Sequence, residues 1–302
     1  MIEAIRLAAP RWSMEASAAV RREREDPRGR KPRQGERMPM TLRRAEPGEE
    51  AALLAFASRE PYFNLFLISN LSEGLNAYQE AWVQEGVGIL MRRHGSWVID
   101  AGPRPEQFDF TAAARLIDAF PPSLVRVLSG RPEGVAPLCA RLRQHRPSIN
   151  HDLFAVLSEP PPPVPHVGAP RPARPEDFEA LAALYANAGD MSRSREAVAA
   201  VLPRTWVVED AGQITAAAII TAQSERAAMI GAVFTLPPFR RRGYATTLIH
   251  ALGSAILASG RHACLFYHNP AARRVYLRLG FREIGPWLLA RFPAAGGREG
   301  HG

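Results

Sequence analysis

The sequence predicts an α/β fold of the mixed α+β kind, built as two domains in tandem, each a mixed, largely antiparallel sheet flanked by helices. Three observations carry this expectation: the length, one proline-rich interruption, and the order of patterned segments in the second half. A chain of 302 residues suits two domains of about 150 each. The strong interruption is Glu159-Pro160-Pro161-Pro162-Pro163-Val164-Pro165, a run that favours stiff polyproline II and reads as a linker. The expected organisation is a disordered basic tail at 1–37, an N-terminal domain at 38–158, a linker at 159–169, a second domain at 170–293 and a frayed Gly-rich tail at 294–302.

Residues 1–37 combine Arg, Glu, Pro and Gly with too few apolar groups to offset the entropy of ordering. Met38 and Met40 stand just before the first patterned segment, so a start codon placed too early and a functional arm are both open. The segments that follow the tail and the linker resemble each other. Ala45-Glu46-Pro47-Gly48-Glu49-Glu50-Ala51-Ala52-Leu53-Leu54 aligns with Ala173-Arg174-Pro175-Glu176-Asp177-Phe178-Glu179-Ala180-Leu181-Ala182. Each reads as an extended piece, a turn at proline, and a helix with acidic residues at its positive end. The spacing of this repeat matches a domain.

In the second half a helix is expected from Pro175 to Ala188 and a strand at Thr205–Glu209, followed by a hairpin turn at Asp210-Ala211-Gly212-Gln213. Strands Ile214–Gln223 and Ala227–Phe234 flank a turn at Ser224-Glu225-Arg226. A helix from Tyr244 to Ser259 stops at Gly260, and a strand follows at Ala263–Tyr267. The last elements are a helix at Pro270–Leu279 and closing strands near Phe281–Gly285 and Trp287–Phe292. Antiparallel strands followed by strand–helix–strand–helix–strand imply a mixed sheet between helices.

Composition excludes several classes of function. The formal charge of +8 comes from 38 basic and 30 acidic residues, but Lys31 is the single lysine, which suits codon bias in a high-GC genome. Ten basic and six acidic residues at 1–37 place half of the excess on the tail, so nucleic acid is not an expected partner. The longest apolar stretch, Ala216–Ala222 with one Thr, is far short of the ~18 residues that span a bilayer. Charged residues through 1–20 leave no signal-peptide core, so the expected location is cytoplasmic. Cys139 and Cys264 lack metal-ligand spacing and read as two buried thiols in a reducing compartment; no metal is expected.

Between the Ala227 strand and the next helix lies Phe239-Arg240-Arg241-Arg242-Gly243-Tyr244-Ala245-Thr246. Glycine at such a junction lets backbone approach a ligand, and the first helical turn offers unpaired N–H groups and a positive dipole end. Three arginines add charge, which makes a cradle for a pyrophosphate. The bare pattern Arg/Gln-x-x-Gly-x-Gly/Ala arises about 0.8 times by chance in such a composition, so context must decide. A second match, Arg131-Pro132-Glu133-Gly134-Val135-Ala136, puts a carboxylate where a phosphate would sit. Downstream, Asn269-Pro270-Ala271-Ala272-Arg273-Arg274-Val275-Tyr276-Leu277-Arg278-Leu279-Gly280-Phe281 reads as a helix with an Asn N-cap, Pro at its first position and a Gly stop.

Together, Val233-Phe234-Thr235, the Arg240–Ala245 loop and Asn269…Ala272…Tyr276…Gly280-Phe281 resemble the acetyl-CoA site of the GNAT N-acetyltransferase superfamily over about residues 170–293. The N-terminal half, with Pro61-Tyr62-Phe63-Asn64-Leu65-Phe66-Leu67-Ile68 and Gly74-Leu75, is similar to the degenerate GNAT-like half of a two-part bacterial type. The resemblance implies acetyl-CoA as cosubstrate and an amine on a small molecule or protein as acceptor. It implies cofactor contacts from Val233, Phe234, Thr235, Arg240, Arg241, Arg242, Gly243, Tyr244, Ala245, Thr246 and Asn269, with Tyr276 as general acid. The family often places a Glu on the strand before the loop; here Ala227–Phe234 holds no titratable residue. Glu209, Glu225, His268, a water relay or an already neutral amine stay open as the source of the base. His250 and His262 read as structural. A non-catalytic acyl-CoA-binding or regulatory module is the alternative, and exposed edge strands could pair with a second copy as a homodimer or with each other.

Overall fold

The computed structural model describes residues 41–76 and 78–293; the expected tails at 1–37 and 294–302, with Met38 and Met40, lie outside the described residues. In chain order the first elements are β1 (Arg43–Arg44), α1 (Glu50–Ala57), α2 (Leu65–Leu71), β2 (Gln79–Gln84), β3 (Gly88–Arg93) and β4 (Ser96–Asp100). Then come α3 (Phe110–Asp118), β5 (Val127–Gly130), α4 (Pro132–Cys139), β6 (Ser148–Leu157), β7 (Ala169–Pro172), α5 (Phe178–Ala186) and α6 (Arg195–Val201). The last are β8 (Thr205–Asp210), β9 (Gln213–Gln223), β10 (Ala227–Thr235), α7 (Tyr244–Ala258), β11 (His262–Tyr267), α8 (Pro270–Arg278) and β12 (Arg282–Arg291).

The chain folds into two compact α/β units. One holds residues 41–56, Asn70–Asn150 and 288–293 among the described residues. Its strands β1 to β4 pair antiparallel in order, β5 runs parallel to β4, and the end of β12 closes antiparallel on β5. Asp109 caps α3 by accepting the Ala112 N–H at 2.9 Å, and the buried face of that helix packs on Trp82, Trp97 and Phe120. The second match to the glycine pattern lies here. Glu133 ion-pairs with Arg131 at 2.6 Å, and Pro132, with no N–H, fills the first helical position.

The other unit holds Ala57–Ser69 and His151–Trp287. Its strands run in the order β6-β11-β10-β9-β8-β7. β10 and β11 are parallel and the remaining pairs antiparallel. Alternation along the strands builds two faces. Val208, Ala216, Ala218, Ile230 and Leu265 pack with α7 and α8, while Val207, Ala217 and Ile219 pack with α5 and α6. Further along this second face, Leu65 with Tyr62, Phe63 and Phe66 covers Phe154, Met229, Cys264 and Trp287.

Four features depart from the local reading. The boundary between the units falls at Asn150/His151, ahead of the proline run, because β6 pairs with β11 rather than ending the first half. The end of the run and the residues just after it lie on α7: Val164 and Val167 pack there, the Val167 N–H donates to Thr247 Oγ1 at 2.8 Å and His166 meets His250 at 3.2 Å. The two closing strands are one, β12, since Gly285-Pro286 sits inside it and proline's fixed φ is compatible with extended backbone. The helix expected from Pro175 opens as a 3-10 turn at Pro175–Asp177 and ends at Ala186. Of the thiols, Cys264 is buried and Cys139 half-buried, and both are free. No helix among the described residues is long and apolar enough to cross a membrane.

The His166–His250 contact makes docking of the proline run sensitive to acid. Burial and then the His166 charge lower the pKa of His250 from its ordinary 6.5. Below 6.5 the unfolded chain therefore takes up a proton that the folded chain resists. The stabilisation present above that value declines as pH falls from 6.5 towards the lower folded value. The thermal midpoint of the wild type is expected to drop more between pH 7.5 and 5.5 than that of His250→Gln, as differential scanning calorimetry would measure.

Candidate active site

The site begins where two parallel strands part. β10 and β11 pair from Ala227/His262 to Met229/Cys264, and beyond that register the two continue separately to Thr235 and Tyr267. On the other side of β10 the ladder with β9 slips by one residue between Gly231 and Phe234, a β-bulge. Ala232 within it takes φ +50°. Its carbonyl accepts the Tyr185 hydroxyl at 2.8 Å, from a side chain buried in α5. A Cβ on Gly231 would stand 2.8 Å from Thr221 Cγ2, so any larger residue at the entrance to the bulge would force Thr221 to shift. Bulge and parting together leave the backbone of Val233–Thr235 facing an opening.

Removing the Tyr185 hydroxyl deprives the Ala232 carbonyl of its donor, at a cost of about 1 kcal/mol. Tyr185→Phe is expected to lower the thermal midpoint by ~2–4 °C, as a melting curve would measure.

The loop follows at once. After a 3-10 turn at Pro237–Phe239, the backbone passes through the left-handed region twice, at Arg241 (φ +62°) and Gly243 (φ +96°), and enters α7. Gly243 is the N-cap residue and supplies no side chain, so no capping group competes for the first N–H groups of the helix. The first α-helical bond is Thr247 N–H to the Gly243 carbonyl at 3.0 Å. Uncapped N–H groups at the positive end of a fifteen-residue helix can receive an anion.

The side chains divide the labour. Arg240 folds back, donating from Nε to the Thr235 carbonyl at 3.1 Å with its guanidinium 5.4 Å from the Phe234 ring. Arg242 lies 6.0 Å from the Phe239 ring, and Arg241 and Arg242 are both exposed. Phe234 is buried among α5 and α6 residues, which leaves only its main chain for a ligand. The Tyr244 hydroxyl is hydrogen-bonded to Asp210, which raises its pKa, so Tyr244 also faces the loop through backbone. Ala245 is half-buried, and Thr246 is buried within 3.4 Å of Arg278 Nη2, tying α8 to the first turn of α7.

Beyond β11, the exposed Asn269 caps α8 by accepting the Ala271 N–H at 2.8 Å. Tyr276 is 7% exposed and packs 5.1 Å from Tyr267 and 5.8 Å from Phe281, ring to ring. Tyr267 donates its hydroxyl to Glu283 at 2.7 Å. Glu283 also accepts from Arg273, and the Arg273 guanidinium holds its carboxyl down to about 2. The Tyr276 hydroxyl has no partner among the described residues, and burial pushes its pKa up to about 12. It stays protonated at any physiological pH.

Two expected sources of a base are badly placed. Glu209 is bound to Arg171 at 2.6 Å, and Glu225 sits exposed in the turn at the opposite end of β10. His262 accepts or donates to the Tyr62 hydroxyl at 2.6 Å, and His250 meets His166, both away from the opening. Local sequence signals gave no hint of Tyr185, Asp210 or Asp152, which meets His268 at 2.8 Å, because each acts through a partner far along the chain. No group of three or more metal-capable side chains occurs among the described residues.

Residues 202–283 match the family described as "Acetyltransferase (GNAT) domain". Among solved structures, a GCN5-related N-acetyltransferase from Sphaerobacter thermophilus is similar at 18% identity over 84% of this chain and 96% of that one, with TM-score 0.57. A GCN5-related N-acetyltransferase from Kribbella flavida is similar at 18% identity over 80% and 96%, with TM-score 0.56. A tandem GNAT protein from the clavulanic acid biosynthesis pathway is similar at 17% identity over 86% and 100%, with TM-score 0.52. These likenesses establish the fold. No curated protein matches the chain.

Proposed function

Because residues 202–283 match the GNAT acetyltransferase domain, we propose that this chain is an acetyl-CoA-dependent N-acetyltransferase that moves the acetyl group directly to a primary amine. The single observation that carries the reading is the parting of β10 from β11 beside an uncapped, basic helix N-terminus. The donor set fits the cosubstrate. Backbone N–H groups of Arg241–Thr246 would receive the pyrophosphate, with Arg241 and Arg242 adding charge from the exposed side and Arg240 bracing the strand end. The main chain of Val233, Phe234 and Thr235 would pair with the pantetheine arm and polarise the thioester carbonyl. Asn269, whose oxygen is engaged as a cap, would contact cofactor through its amide nitrogen.

Tyr276 is the general acid in this reading. A phenol pushed up to about 12 releases its proton less readily than a free one near 10. Its contribution is therefore greatest as a hydrogen bond to sulfur while the C–S bond breaks. The acceptor is an amine of a small molecule or a protein, and two free thiols accord with a reducing cytoplasm. A second reading, a non-catalytic acyl-CoA-binding module, is favoured by one observation: β10 carries no titratable residue.

Isothermal titration of acetyl-CoA into the full-length chain tests the shared premise. One site per chain is expected, since the Arg131 loop presents a carboxylate and a proline where the Arg240 loop presents N–H groups. Two sites would assign binding to the Arg131 loop as well, and no binding at millimolar cofactor would sink both readings.

A further inference from the structure

We propose that His268 is the general base of this acetyltransferase and that Asp152 is its positioning residue; the assignment rests on the acyl-transfer reading above. His268 follows β11 at the open end of the parting, directly before the capping Asn269. Asp152 is the residue across from it on β6, one step beyond the Leu153/Tyr267 pair. The two meet at 2.8 Å between His268 Nδ1 and Asp152 Oδ1.

The environments of the two groups are opposite, as a base and its support require. Asp152 is 4% exposed, and its Oδ2 has no partner among the described residues. A carboxylate held there can only accept, so Nδ1–H of His268 donates to it and Nε2 carries the lone pair. The His268 side chain is 61% exposed, and Nε2 has no partner among the described residues. The carboxylate fixes both tautomer and ring direction and stabilises the imidazolium when it forms.

The faces of the sheet place this pair opposite the acid. Leu265 and Tyr267 of β11 pack with Tyr276 on the α7–α8 face, whereas Phe154, Val156, Cys264 and Phe266 lie on the other. Asp152 and His268 continue that second alternation. Acid and base thus stand on opposite sides of the opening between β10 and β11, and an amine can enter from one side while a thiol leaves from the other. This arrangement replaces the carboxylate that β10 does not have.

The protons balance. Nε2 takes one proton from the acceptor ammonium, and the neutral nitrogen bonds to the thioester carbonyl carbon. As the C–S bond breaks, sulfur takes the Tyr276 proton, and the proton shed by the new amide nitrogen restores the phenol. His268 then releases its proton to solvent, one per turnover.

Bromoacetyl-coenzyme A tests the placement without knowledge of the acceptor, because an imidazole nitrogen beside the acyl carbon displaces bromide and stays labelled. Peptide mapping of the treated full-length protein is expected to find the label on His268, blocked by excess acetyl-CoA and absent in His268→Gln. Asp152→Asn is expected to label on the order of tenfold more slowly with acetyl-CoA affinity unchanged. His268 is exposed, so H268Q supplies the comparison even where D152N does not fold. A probe that competes with acetyl-CoA yet leaves His268 unmodified overturns the assignment. A chain that binds neither compound overturns the acetyl-CoA reading itself, which is a different result.

Discussion

Replacing Tyr276 with phenylalanine is expected to lower acetyl-transfer turnover on the order of 10²-fold while acetyl-CoA affinity stays nearly the same. The hydroxyl is the one atom removed, and it makes no hydrogen bond among the described residues, so the ring packing with Tyr267 and Phe281 survives. A buried phenol without a partner contributes little to folding, and the thermal midpoint of Tyr276→Phe should match or exceed that of the wild type. The pH dependence adds a second check. With its pKa pushed up to about 12, Tyr276 stays protonated through the alkaline range, so wild-type turnover should show no decline near pH 10 from loss of this donor. Steady-state thiol release measured alongside calorimetric binding separates the outcomes. Equal turnover in both proteins would falsify the acid role, and loss of binding would move Tyr276 into the cofactor pocket. Turnover that collapses while binding persists also argues against a module that only binds acyl-CoA.

The second large effect is expected at Gly243. Its φ of +96° is strained for any side chain, and a Cβ would stand 3.2 Å from Val167 Cγ2. Valine, branched at Cβ, is the least tolerant choice there. Strain of about 2 kcal/mol is typical for such a position. The backbone can relieve it only by rotating the first turn of α7, which redirects the N–H groups of Tyr244, Ala245 and Thr246. If the whole cost appears in binding, the Kd for acetyl-CoA rises roughly 30-fold. The measurement is again titration calorimetry, read beside a melting curve. A lower midpoint with unchanged affinity would mean that the strain is absorbed elsewhere and that the loop is not the anion site.

The loop and the α8 cap were legible because their signals are local. Gly243 beside three arginines, Asn269 before Pro270 and Gly280 after the helix each declare their conformation within a few residues. The strand, turn and helix order from Thr205 to Arg278 was legible for the same reason. What escaped depends on partners distant in sequence. Ala232 has no intrinsic preference for a positive φ, and its bulge is held by Tyr185, 47 positions earlier. His268 is an ordinary loop histidine until Asp152, 116 positions away, is set beside it by strand pairing. Gly285-Pro286 resembles a break locally, but the strand continues through it. Pairing partners, not residue preferences, decide such features.

The aromatic segment at Ala57–Ser69 has a consequence for how this protein reaches its native state. Tyr62, Phe63, Leu65 and Phe66 are made early in the chain, yet the surface they cover is finished only when Cys264, Phe266 and Trp287 have been added. Contacts spanning 200 residues or more raise the contact order and delay closure of this core until synthesis is nearly complete. A gene fragment cut at the proline run would omit both this segment and β6. It would leave the aromatic face bare, an aggregation-prone surface, and would discard Asp152 with it. The stretch that matches the GNAT domain is therefore contiguous in sequence, whereas the unit that contains it is discontinuous.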